Sequence, residues 1–129
     1  MDNRQAFEIR FQLRAQDVYN RLTKRLPANV FPPIELEPYI PGVVTPEQLI
    51  QSAQLAVNAI PDTLGDGIIR RLLSDCLEDW LSGMALYKMS TADDGQLWMV
   101  RSALAAANRA TDHIERVEEI LQAEQDDQE

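Results

Sequence analysis

The chain has 129 residues, of which 45% are hydrophobic and 26% charged, and its net charge is −9. This length is enough for one domain with a hydrophobic core of its own. The single cysteine excludes an internal disulfide. Since no apolar run approaches the roughly 18 residues of a membrane span, we expect a cytoplasmic protein without a membrane partner.

The charge is unevenly distributed along the chain. Residues 1–26 carry six basic and three acidic side chains, a net +3, whereas residues 91–129 carry three basic and ten acidic ones, a net −7. Duplex nucleic acid needs a basic protein face that neutralises its phosphates. Most of the chain lacks such a face, so a nucleic-acid partner is not expected. The basic first segment should either lie beside the acidic last segment or form a solvated face.

Two hydrophobic patterns overlap near the start of the chain. One alternates as in a half-buried strand, through Phe7, Ile9, Phe11 and Leu13. The other follows one side of a helix for many more residues, through Phe7, Phe11, Ala15, Val18, Leu22 and Leu26. The longer pattern favours a helix over about residues 3–26, capped by Asp2 or Asn3 and ended by Pro27. Ile9 and Leu13 then form a second apolar patch opposite the main stripe, available to a partner.

Residues 27–45 contain five prolines, which exclude helix and favour an extended arm. The arm is too apolar for a simple linker, because it also carries Val30, Phe31, Ile34, Leu36, Tyr39, Ile40, Val43 and Val44. So many exposed apolar side chains would be a liability. The arm is therefore expected either to wrap around its own bundle or to reach a neighbouring subunit, and the pattern leaves both alternatives open.

Three further helices are predicted after the arm. Thr45, Pro46 and Gln48 form the signature of a helix start, which predicts helix 2 over about residues 46–60. Helix 3, over about 67–89 with Asp66 as the expected cap, is apolar on most sides and should be central. Helix 4 follows a short turn and covers about 95–122, with small residues from Ser102 to Ala107 that allow close helix approach.

The predicted architecture is therefore all-α. Residues 1–121 form a single four-helix bundle-like domain with a long Pro-rich extended arm between helices 1 and 2. Helices 3 and 4 should form an antiparallel hairpin. Residues 122–129 are acidic and poor in apolar side chains, which predicts a frayed tail.

The residues capable of chemistry give little indication of an enzyme. Cys76 lies on an apolar helix face and is expected in the core, and His113, the only histidine, is expected to be exposed beside arginines. Two acidic pairs are spaced i, i+3, namely Asp75 with Glu78 and Glu115 with Glu118. Facing helices of nucleotide pyrophosphohydrolases and di-metal bundles hold metal ions with such acids. Here both pairs fall on polar sides, so we expect no catalytic site, metal or cofactor.

The apolar arm and the two-sided first helix favour a non-enzymatic adaptor or structural subunit that acts through contacts with a protein partner or with identical subunits. The predicted interface residues are Ile9, Leu13, Phe31, Ile34, Leu36, Tyr39, Ile40, Tyr87 and Trp98. The helix 3–4 hairpin, with its acidic turn and Trp98, resembles helical head–tail adaptor or connector subunits of bacteriophages over about residues 66–121, without a diagnostic motif. That resemblance implies a structural subunit of a virion.

Three other functions fit the same sequence features. An assembly chaperone would also be small, acidic and helical. An acidic inhibitor or antitoxin-like protein would block a basic site and bind in a salt-sensitive way. A metal-dependent nucleotide hydrolase would use the paired acids.

Overall fold

The computed structural model describes residues 2–30, 33–60 and 67–128. Within these ranges the chain forms four helices and no strand: α1 (Asn3–Asn29), α2 (Pro46–Ala59), α3 (Ile68–Ser90) and α4 (Leu97–Gln128). The predicted all-α class is confirmed, and the alternating pattern near the start of the chain lies on a helix. Among the helices so described, none is sufficiently long and apolar to cross a membrane.

The helices pack with α3 at the centre. α3 and α4 form an antiparallel hairpin, and α1 contacts both of them. The start of α1 lies at the hairpin turn, where the Arg4 guanidinium donates to the Ser90 carbonyl. Near its other end, Arg21 reaches Glu118 of α4. α1 therefore runs antiparallel to α3 and parallel to α4.

Local sequence signals set two of the helix starts. In α1 the Asp2 carboxylate accepts from the Gln5 N–H at 2.8 Å, and the Gln5 side chain accepts from the Asp2 N–H at 3.3 Å. Thr45 and Gln48 form the same reciprocal pair at the start of α2, at 3.2 and 2.7 Å. These capping boxes satisfy N–H groups that have no partner inside the helix.

Pro27 does not end the first helix, contrary to the prediction. α1 continues to Asn29 because Leu26 and Val30, four residues apart, are both buried in the core. Pro27 lacks one backbone N–H donor, and only two helical residues follow it, so little of the helix depends on the turn that it disturbs. The Asn29 side chain also donates to the Arg25 carbonyl at 2.7 Å, which satisfies one acceptor of the last turn.

α3 begins where the sequence pattern predicted but with another cap residue, and the end of α4 differs from the pattern. The cap position of α3 is Gly67, with a φ of 81°, while Asp66 lies outside the described residues. α4 extends to Gln128 instead of fraying after residue 122. A helix already formed gains one hydrogen bond for each added residue, and the segment is rich in helix-forming Gln, Glu and Ala.

Small residues bring α1, α3 and α4 into close contact. Gly83 of α3 is buried, and a Cβ at this position would lie 3.2 Å from the Ala103 carbonyl oxygen and 3.2 Å from the Phe11 ring. The small face of α4 is fully buried at Ala103, Ala106, Ala107 and Ala110. The close helix approach predicted for this segment is therefore confirmed.

The described part of the arm, residues 33–45, packs against its own bundle. Leu36 is buried in the core, and Ile34, Tyr39 and Val44 pack against the core in part. The Tyr19 hydroxyl of α1 donates to the Glu37 carbonyl at 2.5 Å. The Glu37 N–H donates in turn to the Ser52 hydroxyl of α2 at 2.7 Å. The arm thus links α1 to α2. Of the two open alternatives, Ile34, Leu36, Tyr39 and Val44 adopt the first, whereas Ile40 and Val43 are exposed.

Candidate functional site

An open cleft of about 430 Å³ lies between α1 and α2, above α3. It forms because, among the described helices, the α2 backbone lies close to that of α3 but not to those of α1 and α4, while a side-chain hydrogen bond between Ser52 and Tyr19 joins α2 to α1. Five aromatic rings line it: Phe11, Tyr19, Tyr39, Trp80 and Tyr87. Aliphatic side chains complete the apolar wall, and the polar side chains Gln12, Gln16, Glu47, Lys88 and Thr91 surround the opening. We call this site the aromatic cleft.

Hydrogen bonds and ring contacts hold the α1 wall of the aromatic cleft in place. The Trp80 indole N–H donates to the Ala15 carbonyl at 3.0 Å, and the Trp80 ring lies 5.0 Å from that of Tyr19. Phe11 and Tyr87 are stacked with their centroids 4.8 Å apart. Offset ring pairs of this kind add to the stability gained from burial alone. The cleft is therefore preformed in the free chain.

The electrostatics of the aromatic cleft favour an apolar ligand. Burial raises the pKa of Tyr19, a neighbouring Glu37 carboxylate raises it further, and a hydrogen bond with Ser52 lowers it. The phenol therefore stays neutral and keeps donating to the arm. Glu47 and Lys88 place one charge of each sign at the opening. With no excess of either sign, the cleft offers mainly apolar surface for recognition.

Two of the predicted interface residues, Tyr39 and Tyr87, come together in the aromatic cleft. The others are distributed elsewhere. Leu36 is buried, Ile34 is half-buried, and Phe31 lies outside the described residues. Four are exposed: Ile9 and Leu13, which are neighbours one turn apart on α1, and Ile40 and Trp98 elsewhere. Phe11 and Trp80 are buried in the core, and together with the partly buried Met84 they also form the inner wall of the cleft. The sequence feature that could have indicated the cleft is that α3 is apolar on more sides than its hairpin partner α4 can cover.

A second surface lies between α1 and α4, which we call the basic groove. It has a volume of about 450 Å³ and is lined by Arg10, Leu13, Arg14, Asp17, Leu104 and Asn108. Leu13 is 65% exposed. The Asp17 carboxylate is paired with Arg21 at 3.2 Å. Beside the groove, the Arg101 guanidinium lies 5.8 Å from the centroid of the Phe7 ring.

Ion pairs join the basic first helix to the acidic last helix, as one of the two sequence interpretations predicted. Glu118 accepts from Arg21 at 2.7 Å and from Arg25 at 3.5 Å. Glu118 is therefore neutralised, while Glu115 is exposed to solvent. Among residues 2–30, 33–60 and 67–128, no three side chains of His, Cys, Asp or Glu are grouped as a metal site would need.

The cysteine and the histidine contribute to the α3–α4 contact. Cys76 is fully buried, its thiol donates to the Ala110 carbonyl at 3.2 Å, and burial raises its pKa. His113 is half-buried, so the expectation of an exposed histidine is wrong. Its Nε2 lies 3.1 Å from the Asp79 carboxylate, which Arg109 also contacts at 3.3 Å. This polar group joins the two helices across their outer edge.

Comparison of the chain with protein-family models, curated proteins and solved structures finds no match. The four helices define the fold class. The candidate sites, identified from the structure, are the aromatic cleft and the basic groove.

Proposed function

We propose that the protein is a non-enzymatic adaptor or structural subunit that binds a protein partner through the aromatic cleft. The observation that carries this proposal is an open apolar cleft of about 430 Å³ in which the half-buried Tyr39 and Tyr87 are backed by the buried rings of Phe11, Tyr19 and Trp80. Tyr is enriched among the residues that dominate binding energy at protein interfaces. Such residues are commonly surrounded by a polar rim, as they are here.

The dimensions of the aromatic cleft suit a short amphipathic helix of the partner. The α3 wall extends from Trp80 to Thr91, which corresponds to about 16 Å at 1.5 Å per residue. Two or three turns of a partner helix cover that length. Apolar side chains at i, i+3 or i+4, and i+7 of such a helix would enter the cleft.

The packing of the arm changes the basis of the proposal. The arm was one of two reasons to expect an assembly subunit, but Leu36 is buried within its own chain and Glu37 is hydrogen-bonded to both neighbouring helices. The arm therefore stabilises this fold and contributes the Tyr39 wall of the cleft. Partner binding is accordingly proposed for the aromatic cleft and not for an extended arm.

The test places a charge in the aromatic cleft. Ile50→Glu in α2 and Met84→Glu in α3 each introduce a carboxylate into its wall. Leu55→Glu and Met89→Glu are matched controls on the same two helices, at positions that are 67% and 52% exposed outside the cleft. Tagged wild-type protein recovers the partner from the native source. The purified partner is then titrated against each variant, and we expect at least about tenfold weaker binding in the cleft variants alone.

Two outcomes would contradict this function. Equal binding by cleft variants and controls, with all four folded by circular dichroism, would place the partner elsewhere. A large loss of affinity between about 0.1 and 0.5 M NaCl would favour the acidic inhibitor, because an apolar contact is insensitive to screening. Mg²⁺-dependent hydrolysis of a nucleotide that is abolished by Glu118→Gln would favour the enzyme alternative.

A further inference from the structure

The basic groove carries uncompensated positive charge on a chain whose net charge is −9. Arg10 and Arg14 lie four residues apart on α1 and are both exposed in the groove. Within the described ranges, neither forms an ion pair. Leu13 and Leu104 add an apolar strip between the two helices. A helix that carries carboxylates would complement the positive charge of the groove.

The end of α4 carries the opposite charge. Every described side chain from Gln122 onward is exposed, and the segment 122–128, here called the acidic end, contains Glu124, Asp126 and Asp127 without a basic residue. Carboxylates at the C-terminus of a helix are repelled by the negative end of the helix dipole. A cationic partner would relieve that repulsion. The acidic end is therefore a helix that gains stability from an external basic surface.

The acidic end cannot reach the basic groove of its own chain. Asn108 of α4 lines the groove, and in a continuous helix residue 124 lies about 24 Å further along the same axis. The acidic end and the basic groove are nevertheless similar in length. The acidic end is about 10 Å long, and the groove extends about 10 Å along α1 between Arg10 and Asp17.

We propose that the acidic end of one copy binds in the basic groove of a second copy. Carboxylates of α4 pair with Arg10 and Arg14, and the edge of the incoming helix covers Leu13. The contact joins two different surfaces, so each copy can bind one neighbour at each surface and the copies form an open chain or a ring. This inference rests on the proposed role as an assembly subunit and describes how identical subunits associate.

Sedimentation of the full chain tests the inference directly. A contact this small is weak, so the weight-average mass is measured from about 10 to 500 μM protein. At about 0.05 M NaCl we expect the mass to rise with concentration beyond that of a dimer. At about 0.5 M NaCl the association should fall at least tenfold, since exposed charges are then screened. A monomer at every concentration in low salt would overturn the inference.

A charge exchange identifies the two surfaces. The groove variant Arg10→Glu with Arg14→Glu and the end variant Glu124→Lys with Asp127→Lys should each remain monomeric when alone. An equimolar mixture should associate again, because the reversed groove then faces a reversed end. Lys24→Glu with Arg71→Glu is the matched control, which makes the same charge change as the groove variant at exposed positions outside the groove.

The outcomes separate this inference from the proposed function. Association that persists in either reversed variant, or a mixture that stays monomeric, overturns the head-to-tail contact. Met84→Glu leaves the groove unchanged, so it should lose the partner and keep the salt-sensitive self-association. Failure of partner binding in the cleft with intact charge exchange would overturn the proposed cleft function alone.

Discussion

The two sides of α3 are packed in different ways. On one side, Gly83 lets α1 and α4 approach so closely that an added Cβ would be 3.2 Å from a backbone oxygen. On the other side, the α2 backbone lies close only to that of α3 among the described helices, and Tyr39, Trp80 and Tyr87 border a cleft of about 430 Å³. Both sides are apolar in sequence. The two sides pack differently because their side chains differ in size and because a different number of helices packs against each side.

In the proposed function, one side of α3 serves stability and the other serves recognition of the partner. Small residues remove the space between backbones, so the α1–α3–α4 side buries its apolar surface within the chain. Large rings keep helices apart, and α2 is connected to α1 through the arm by the hydrogen bonds of Glu37. Apolar surface on that side remains available to a partner.

The same truncation on the two sides should give different losses of stability. Leu22→Ala, at a fully buried position of α1, should lower the free energy of unfolding by about 4 kcal/mol. Leu49→Ala, in the wall of the aromatic cleft, should lower it by about 2 kcal/mol, since the space it leaves opens into an existing cleft. Urea denaturation monitored by circular dichroism measures both. Equal losses would mean that the cleft is closed in solution.

The opposite test enlarges a side chain at Gly83, where α1 and α4 approach α3 closely. Gly83→Leu should lower the free energy of unfolding by about 3 kcal/mol, because the new side chain meets the Ala103 backbone and the Phe11 ring. Ala85→Leu, at an exposed position of the same helix, is the control and should change it by less than about 0.5 kcal/mol. If Gly83→Leu were as stable as the control, the close approach of α3 to α4 would be wrong.

The smallest expected effect is a change of stability with pH, which involves Cys76 at the α3–α4 contact and Tyr19 at the aromatic cleft. The pKa values of Cys76 and Tyr19 are both raised by burial. In the unfolded chain these groups ionise near about pH 8.5 and 10 respectively, whereas the folded chain keeps both protons at those pH values. The folded state then binds more protons, so stability is complete below about pH 8.5 and falls as the pH rises.

Melting temperatures between about pH 7 and 10.5 test this expectation. Wild-type protein should melt several degrees earlier at the alkaline end. Cys76→Ala combined with Tyr19→Phe removes both groups and should show a flatter profile. A profile that is unchanged in the double variant would attribute the alkaline loss to other residues.

Local patterns predicted most of the fold. The stripe from Phe11 to Leu26 and the capping box at Thr45 were read correctly, because a helix face and a helix start depend on residues within a few positions of each other. The exceptions were the two helix ends at Pro27 and beyond residue 122. There, burial of Val30 and propagation of a long helix outweighed the local signals.

By itself, the sequence determined the all-α class, the four helices, the buried stripe of α1 and the small-residue contact of α4. Only the tertiary structure decided which apolar residues are covered. Periodicity indicates that Trp80 and Met84 lie on an apolar face, but it does not indicate that Trp80 is buried while Met84 stays partly exposed in the cleft. That depends on how the arm places α2 over α3, where side chains of α2 reach α1 while the two backbones stay apart. Burial is a property of neighbours that are distant in sequence, and for this reason the aromatic cleft had no local signature.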